Sequence, residues 1–80
     1  MTNIINQLEL IFRDIFDDDD LIVNPDIAAN DIDGWDSLAH IRLILAIEKC
    51  FSLHFSASEI SKLENVGQMA ELIINKQAND

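Results

Sequence analysis

Three neighbouring side chains near the middle of the sequence combine an acid, a hydroxyl and an imidazole: Asp36, Ser37 and His40. An imidazole one helical turn from a serine hydroxyl resembles a nucleophile with its general base, and a carboxylate would orient that base. However, Asp36 and Ser37 are adjacent, so one short turn does not easily place the carboxylate on the far side of the imidazole. We therefore predict no hydrolase and no catalytic residue in this chain.

Cys50 is the second possible nucleophile, and it lies ten residues after His40. That separation is about 280° around a helix, so the two side chains cannot form a catalytic dyad there. Because Cys50 is the only cysteine, the chain has no intramolecular disulfide and no cysteine-built zinc site. A lone cysteine also favours a reducing compartment.

The run of four aspartates Asp17–Asp20 is the other group with potential metal ligands. A calcium-binding EF-hand loop needs oxygen ligands at alternating positions, a glycine at the sixth and a glutamate at the twelfth. Placing Gly34 sixth puts Ala29 first and His40 twelfth, so the motif is absent. Loose binding of divalent cations by the aspartates stays open, but a solvated acidic loop is the default, and we predict no specific metal site.

The overall charge narrows the classes of partner. The 80 residues include 15 acidic and 5 basic side chains, for a net charge of −10. This charge argues against nucleic-acid binding and for docking onto basic patches of other proteins. No apolar run reaches the ~20 residues of a membrane span, and no charged-then-apolar leader follows Met1. We therefore expect one domain, residues 1–80, in a cytoplasmic protein.

The hydrophobic periodicity predicts an all-α fold, beginning with an amphipathic helix from Asn3 to Phe16. The aspartates that follow oppose the helix dipole and help to end it. A loop of about twenty residues then runs to Asp36, which is long for a compact domain. Four apolar residues are expected to attach this loop to the core: Leu21, Val23, Ile27 and Ile32.

A second helix is predicted to begin at Ser37 and to run to about Phe51, because Asp36 can cap it and Gly34 allows the preceding turn. One sector of this helix is expected to be buried, and it holds Ile44, Ile47 and Phe51. A separate stripe mixes apolar and basic side chains, which a solvated face does not need but a partner-binding face could use. It contains Leu38, Arg42, Leu45 and Lys49.

Two further helices complete the predicted fold. A short one covers Ala57–Lys62, with Ser56 or Ser58 as its N-cap. The last helix runs from Val66 to about Lys76, and Asn65 is its expected N-cap. Its predicted buried residues are Val66, Met69, Ala70 and Ile73. The result is a small four-helix bundle with three longer helices and one short one.

The sequence from Gly34 to Phe51 resembles the phosphopantetheine attachment region of acyl carrier proteins and related carrier domains. The triplet Asp36-Ser37-Leu38 is unspecific alone, but here it stands at a predicted helix start, after a long loop, in an acidic chain of carrier-protein length. The resemblance covers about residues 4 to 75. It rests on the run from Gly34 through Trp35 to Leu38, followed by Ile41, Leu43, Ile44, Ile47, Glu48, Phe51, Phe55, Glu59, Ile60, Leu63, Val66 and Leu72.

This resemblance implies a protein that does no catalysis itself. Ser37 would carry a 4'-phosphopantetheine arm taken from coenzyme A, with Asp36 and Leu38 beside it; Asp36 would cap the helix or bind the metal of the transferase. The implied partners are a phosphopantetheinyl transferase and acyl-loading, acyl-transfer or synthase enzymes, with the carrier as a monomer. The residues expected to bind these partners are Leu38, Ile41, Arg42, Leu45 and Lys49.

The sequence departs from the carriers of fatty acid synthesis along the second helix. Those carriers usually have acidic residues where this chain has Arg42, Lys49 and Cys50. A dedicated carrier of a specialised pathway fits better, because exchanged charges change which partner is recognised. Two alternatives stay open at this point: an aminoacyl or peptidyl carrier, and an unmodified interaction module with a carrier-like fold.

Overall fold

The computed structural model describes residues 2–78, whose regular structure is helical apart from a single antiparallel bridge between Ala28 and Asn65. It confirms the predicted all-α, four-helix bundle with one short helix. No helix in these residues is both long and apolar enough to cross a bilayer. The helices are α1 (Thr2–Ile15), α2 (Ser37–Phe51), α3 (Ala57–Lys62) and α4 (Val66–Ala78), and a 3₁₀ turn covers Ala29–Asp31.

The core lies where α1 packs against α2 and α4. Leu8 and Phe12 supply the α1 contribution, and both are fully buried. Burying such a side chain stabilises the fold by about 1.5–3 kcal/mol. The predicted inner face of α4 is confirmed, because all four of its residues are fully buried: Val66, Met69, Ala70 and Ile73.

The buried sector of α2 differs in part from the prediction. Ile44 and Ile47 are buried as expected, but Leu43 is also fully buried and Phe51 is only half-buried at the edge of the core. Ile47 and Ile44 lie about 40° and 100° around the helix from Leu43, so one sector contains all three. Phe51 lies in that sector too, but it is the last residue of α2, where the helix leaves the core.

The long loop between α1 and α2 is attached to the core by the four predicted apolar residues. Val23 and Ile32 are buried, and Leu21 and Ile27 are half-buried against the same cluster. The loop backbone is also bonded to α4, because the Val66 N–H donates to the Ile27 carbonyl at 2.9 Å. This loop is therefore a packed part of the fold, which explains how a compact domain can contain it.

Two charged residues of α1 hold the start of this loop. The Arg13 guanidinium donates from Nε to the Leu21 carbonyl at 2.8 Å, and Glu9 Oε2 accepts from the Val23 N–H at 2.9 Å. Arg13 and Glu9 are themselves an ion pair at 3.1 Å. Since both ions are also bonded to the loop backbone, the outer face of α1 has a structural role.

Side-chain caps begin α3 and α4. Ser56, rather than Ser58, caps α3, because its hydroxyl accepts from the Glu59 N–H at 3.1 Å while Glu59 Oε1 accepts from the Ser56 N–H at 2.8 Å. The pKa of Glu59 is lowered below its ordinary value, mainly because its carboxylate accepts from the Ser56 N–H. The ion pair with Lys76 of α4, at 2.9 Å, lowers this pKa further. Asn65 caps α4 as predicted, accepting from the Gln68 N–H at 2.8 Å.

Candidate functional site

Ser37 is the first residue of α2, and its side chain is exposed. The chain turns into the helix at Gly34, whose φ of +87° is in the region that favours glycine. Asp36 caps the helix as predicted, because its Oδ1 accepts from the Ala39 N–H at 2.9 Å. The His40 N–H donates to the Asp36 carbonyl at 2.9 Å, which closes the first turn.

This first turn leaves room and hydrogen-bond donors for an anion on Ser37. The N–H groups of Ser37 and Leu38 have no acceptor within residues 2–78, and the Ser37 hydroxyl makes no hydrogen bond to them either. Unpaired N–H groups and the positive end of the helix dipole favour negative charge at this position. The Asp36 carboxylate opposes that effect by repulsion, so its contribution is the cap. These groups fit one phosphodiester on Ser37.

His40 is oriented by two contacts, neither of them with Ser37. Its Nδ1 accepts from the Trp35 indole N–H at 3.2 Å, and this tautomer lets Nε2 donate to the Ile60 carbonyl of α3 at 3.4 Å. The Trp35 and His40 rings also stack, with centroids 6.1 Å apart. Because both nitrogens are engaged, the structure offers no support for His40 as a general base for Ser37.

Trp35 packs as the sequence suggested, against the start of the helix and the core. Its ring meets Phe12 edge-on at a centroid distance of 5.2 Å, and it contacts Phe16 at 6.1 Å. The Trp35 ring packs on Phe12 of α1 and bonds to His40 of α2, and His40 in turn contacts Ile60 of α3. These contacts connect the three helices beside Ser37. This connection is not predicted from the sequence. Its only signal was the aromatic and imidazole pair within five residues.

An open cleft of about 590 Å³ adjoins Ser37 between the start of α2, α3 and the loop. Trp35 and His40 form part of its wall, together with apolar side chains of α2 and α3. Polar groups from Asp36, Ser61 and Glu64 also line it. The attachment residue predicted from the sequence thus lies at the edge of a cleft that sequence analysis did not anticipate.

The five predicted partner-binding residues all lie exposed on α2, and we call them the α2 stripe: Leu38, Ile41, Arg42, Leu45 and Lys49. Its three apolar members are 54 to 63% exposed. Arg42 and Lys49 form no ion pair with any residue that the structure describes. Cys50, beside the stripe, is an exposed free thiol.

Glu48, the third charged residue of α2, does not belong to the α2 stripe. Glu48 is half-buried, and its Oε2 accepts from the Phe55 N–H at 2.8 Å, so it holds the turn between α2 and α3. His54 lies 3.9 Å from the same carboxylate. The α2 stripe is therefore positively charged, although the chain as a whole carries −10.

Comparisons with known proteins agree with this site. Residues 6–73 match the model of a family described as the phosphopantetheine attachment site. A solution NMR structure of a holo acyl carrier protein from Geobacter metallireducens is similar, with 43% identity and a TM-score of 0.87 over 94% of this chain and 86% of that chain. No curated protein sequence matched. On the family match and this structural similarity, the chain belongs to the acyl carrier proteins, which hold a covalently attached 4'-phosphopantetheine arm.

Proposed function

We propose that Ser37 is the residue that carries the 4'-phosphopantetheine arm. The observation that supports this most strongly is the exposed Ser37 hydroxyl at the first residue of α2, beside two N–H groups without an acceptor among the described residues. The remaining serines of the chain lie at or beyond the end of α2, in the turn after it and in α3. Of these four, only Ser56 is a helix N-cap, and the helix that it caps, α3, has six residues.

The residues around Ser37 position a tether and do no chemistry of their own. When bound, the arm supplies a terminal thiol that can hold an acyl group as a thioester. Unaided serine is a poor nucleophile, and both nitrogens of His40 are engaged by Trp35 and Ile60. The base that activates Ser37 therefore comes from the phosphopantetheinyl transferase, and this chain is not an enzyme.

The α2 stripe is the surface that partner enzymes recognise. Family membership implies interaction with transferase and synthase enzymes. Three exposed apolar side chains flanked by Arg42 and Lys49 suit a partner with an apolar patch beside acidic residues. Carriers with an acidic second helix would need the opposite charge on the partner. The charges thus favour a dedicated loading or transfer enzyme of a specialised pathway.

The carrier acts as a monomer in the cytoplasm, with residues 1–80 as one domain. A monomer is supported by a core that one chain completes, since the buried apolar residues among those described come from α1, the long loop, α2, the turn after α2 and α4. A reducing location is supported by the lone cysteine, Cys50, whose thiol is exposed and free. Neither argument depends on the identity of the cargo.

The test is the intact mass of the protein after incubation with coenzyme A and a broad-specificity phosphopantetheinyl transferase. Wild type should gain one phosphopantetheine, and Ser37→Ala should gain none. Ser58→Ala is the matched control, because it removes another exposed serine hydroxyl that caps no helix, and it should be modified like wild type. Modification of a folded Ser37→Ala variant, or none of the wild type with its native transferase, would contradict the proposal.

A further inference from the structure

The backbone that leads into Ser37 bends tightly just before the helix. The Asp36 N–H donates to the Gly34 carbonyl at 2.9 Å, and Gly34 itself has a φ of +87°. The Asp36 cap then holds the helix start through the Ala39 N–H. All partners of these bonds lie within residues 34–39, so the bonds fix the bend itself but not its direction relative to the rest of the bundle.

Trp35 connects this bend to the bundle. Its ring meets Phe12, which is fully buried in α1, edge-on at a centroid distance of 5.2 Å. Its indole N–H donates to His40 Nδ1 at 3.2 Å, and His40 Nε2 lies 3.4 Å from the Ile60 carbonyl of α3. In the chain, Trp35 and His40 stand on either side of Ser37. The Trp35–His40 hydrogen bond therefore joins the bend to the first turn of α2 across Ser37.

The Trp35–His40 hydrogen bond requires an unprotonated imidazole. An indole N–H can only donate, so the bond forms only when Nδ1 of His40 carries no proton. In the imidazolium form both ring nitrogens are donors, and two N–H groups would face each other. Nε2 donates in both forms, so the contact with Ile60 does not depend on protonation. Histidine ordinarily changes its charge between about pH 5 and 8, and this bond should be lost over that range.

The other titratable groups around His40 keep their charge over most of this range. Two further titratable side chains line the cleft with it, Asp36 of the helix cap and Glu64 after α3, and both are acids. The α1 residues that pack on Trp35 are uncharged phenylalanines. Carboxylates are ordinarily ionised above about pH 5. Among the described residues that line the cleft, the imidazole is therefore the group whose charge changes.

We infer that the Trp35–His40 hydrogen bond positions Ser37 for the transferase, and that modification of Ser37 therefore slows when His40 is protonated. This inference rests on the proposed attachment at Ser37. Trp35 and His40 are positioning residues, because neither hydrogen-bonds to the Ser37 hydroxyl and both act through the direction of the bend before it. Since a displacement of about 1 Å can slow a reaction strongly, a small rotation of the first helical residue is sufficient.

The experiment measures kcat/KM of a broad-specificity transferase for the unmodified protein at about pH 8 and at about pH 5.5. Intact mass gives the modified fraction. Each value is divided by that of His40→Asn under the same conditions, which cancels the pH dependence of the transferase. Asparagine places a carbonyl oxygen where Nδ1 lies, cannot be protonated and is too short to reach Ile60. His40→Asn should therefore equal wild type at about pH 8.

The wild-type ratio should fall by roughly two- to tenfold at the lower pH, which is the effect of one hydrogen bond. Trp35→Phe keeps an aromatic ring on Phe12 but has no N–H to donate, so its ratio should be low at both pH values. His54→Asn is the matched control and should fall like wild type. His54 is the only other histidine, and its side chain is 98% exposed.

NMR observes the bond directly, because Trp35 is the only tryptophan and gives a single indole N–H signal. This signal should move between the two pH values in wild type and stay in place in His40→Asn. Circular dichroism verifies that each variant is folded at both pH values. Either His40→Asn or Trp35→Phe can serve as the reference, because neither has a bond at this position that depends on pH.

Three results would overturn the inference: a wild-type ratio that is the same at both pH values, a folded Trp35→Phe protein that is modified like wild type, or a His54→Asn protein that has lost the pH dependence. A folded His40→Asn protein that is slow at about pH 8 would also overturn it, because the contact with Ile60 would then be the one that matters. Failure of wild type to be modified at either pH would instead overturn the proposed function itself.

Discussion

Helices α2 and α4 have similar lengths and bury similar inner faces, but their outer faces differ. The outward side chains of α4 are mainly polar, including Gln68, Glu71 and Asn75, and its Lys76 pairs with Glu59. The α2 stripe instead exposes three large apolar side chains and two cations without a partner in the described part of the chain.

This difference indicates which outward side chains the fold requires and which ones need another explanation. A polar outer face such as that of α4 is sufficient for a helix in this bundle. Exposed leucine and isoleucine gain little from folding, because they are hardly removed from water. Their presence in a continuous stripe next to Ser37 is therefore best explained by a partner that covers them.

The largest effect should distinguish the inner face of α4 from the α2 stripe. Ile73→Ala removes a fully buried side chain and should lower the free energy of unfolding by about 2–5 kcal/mol. Leu45→Ala removes a side chain that is 59% exposed and should change it by no more than about 0.5 kcal/mol. Urea denaturation measures both. Equal losses would show that Leu45 has a structural role and would remove the contrast between the two helices.

A smaller effect should follow from reversing the charge of the α2 stripe. The double variant Arg42→Glu and Lys49→Glu should keep its helical circular dichroism but slow association with its cognate loading enzyme by roughly tenfold at low salt. Stopped-flow binding measures the rate. Lys62→Glu is the matched control, since Lys62 is an exposed cation of α3 outside the stripe. Because the control changes the net charge by 2 and the double variant changes it by 4, slowing by the control to half the logarithmic extent would mean that only the net charge matters.

The smallest effect concerns Glu59, which joins α3 to α4. Its pKa is lowered in the folded protein by the Ser56 N–H and by Lys76, so the ionised carboxylate stabilises the fold above the ordinary pKa of glutamate. That contribution should disappear as the pH falls through the lowered value. Thermal unfolding in an acid pH series measures this: as the pH falls, the melting temperature of Glu59→Gln should decrease less than that of wild type. The same change in Glu64→Gln, an exposed glutamate, would contradict this assignment.

Local signals were enough to predict the helices from the sequence. Asp36, Ser56 and Asn65 each accept from an N–H three residues later, so the starts of α2, α3 and α4 are encoded within a few residues. The attachment of the long loop was predicted correctly because its apolar residues Leu21, Val23, Ile27 and Ile32 recur along it and can reach the core. The attachment region was recognisable for the same reason, since it is contiguous in the chain.

Contacts between distant residues were not predictable in this way. The orientation of His40 depends on the Ile60 carbonyl, which is twenty residues away and lies on another helix. Glu48 similarly binds the Phe55 N–H only once the chain has turned after α2. Leu43 was missed because the expected sector reached only from Ile44 to Ile47, and Leu43 lies about 40° beyond Ile47 around the helix.

The central claim is that Ser37, and no other residue, carries the arm. The most direct measurement is fragmentation mass spectrometry of the wild-type protein after loading from coenzyme A, which assigns the modification among its five serines. The account predicts phosphopantetheine on the peptide position of Ser37 alone. Its presence on Ser52, Ser56, Ser58 or Ser61 would contradict the account.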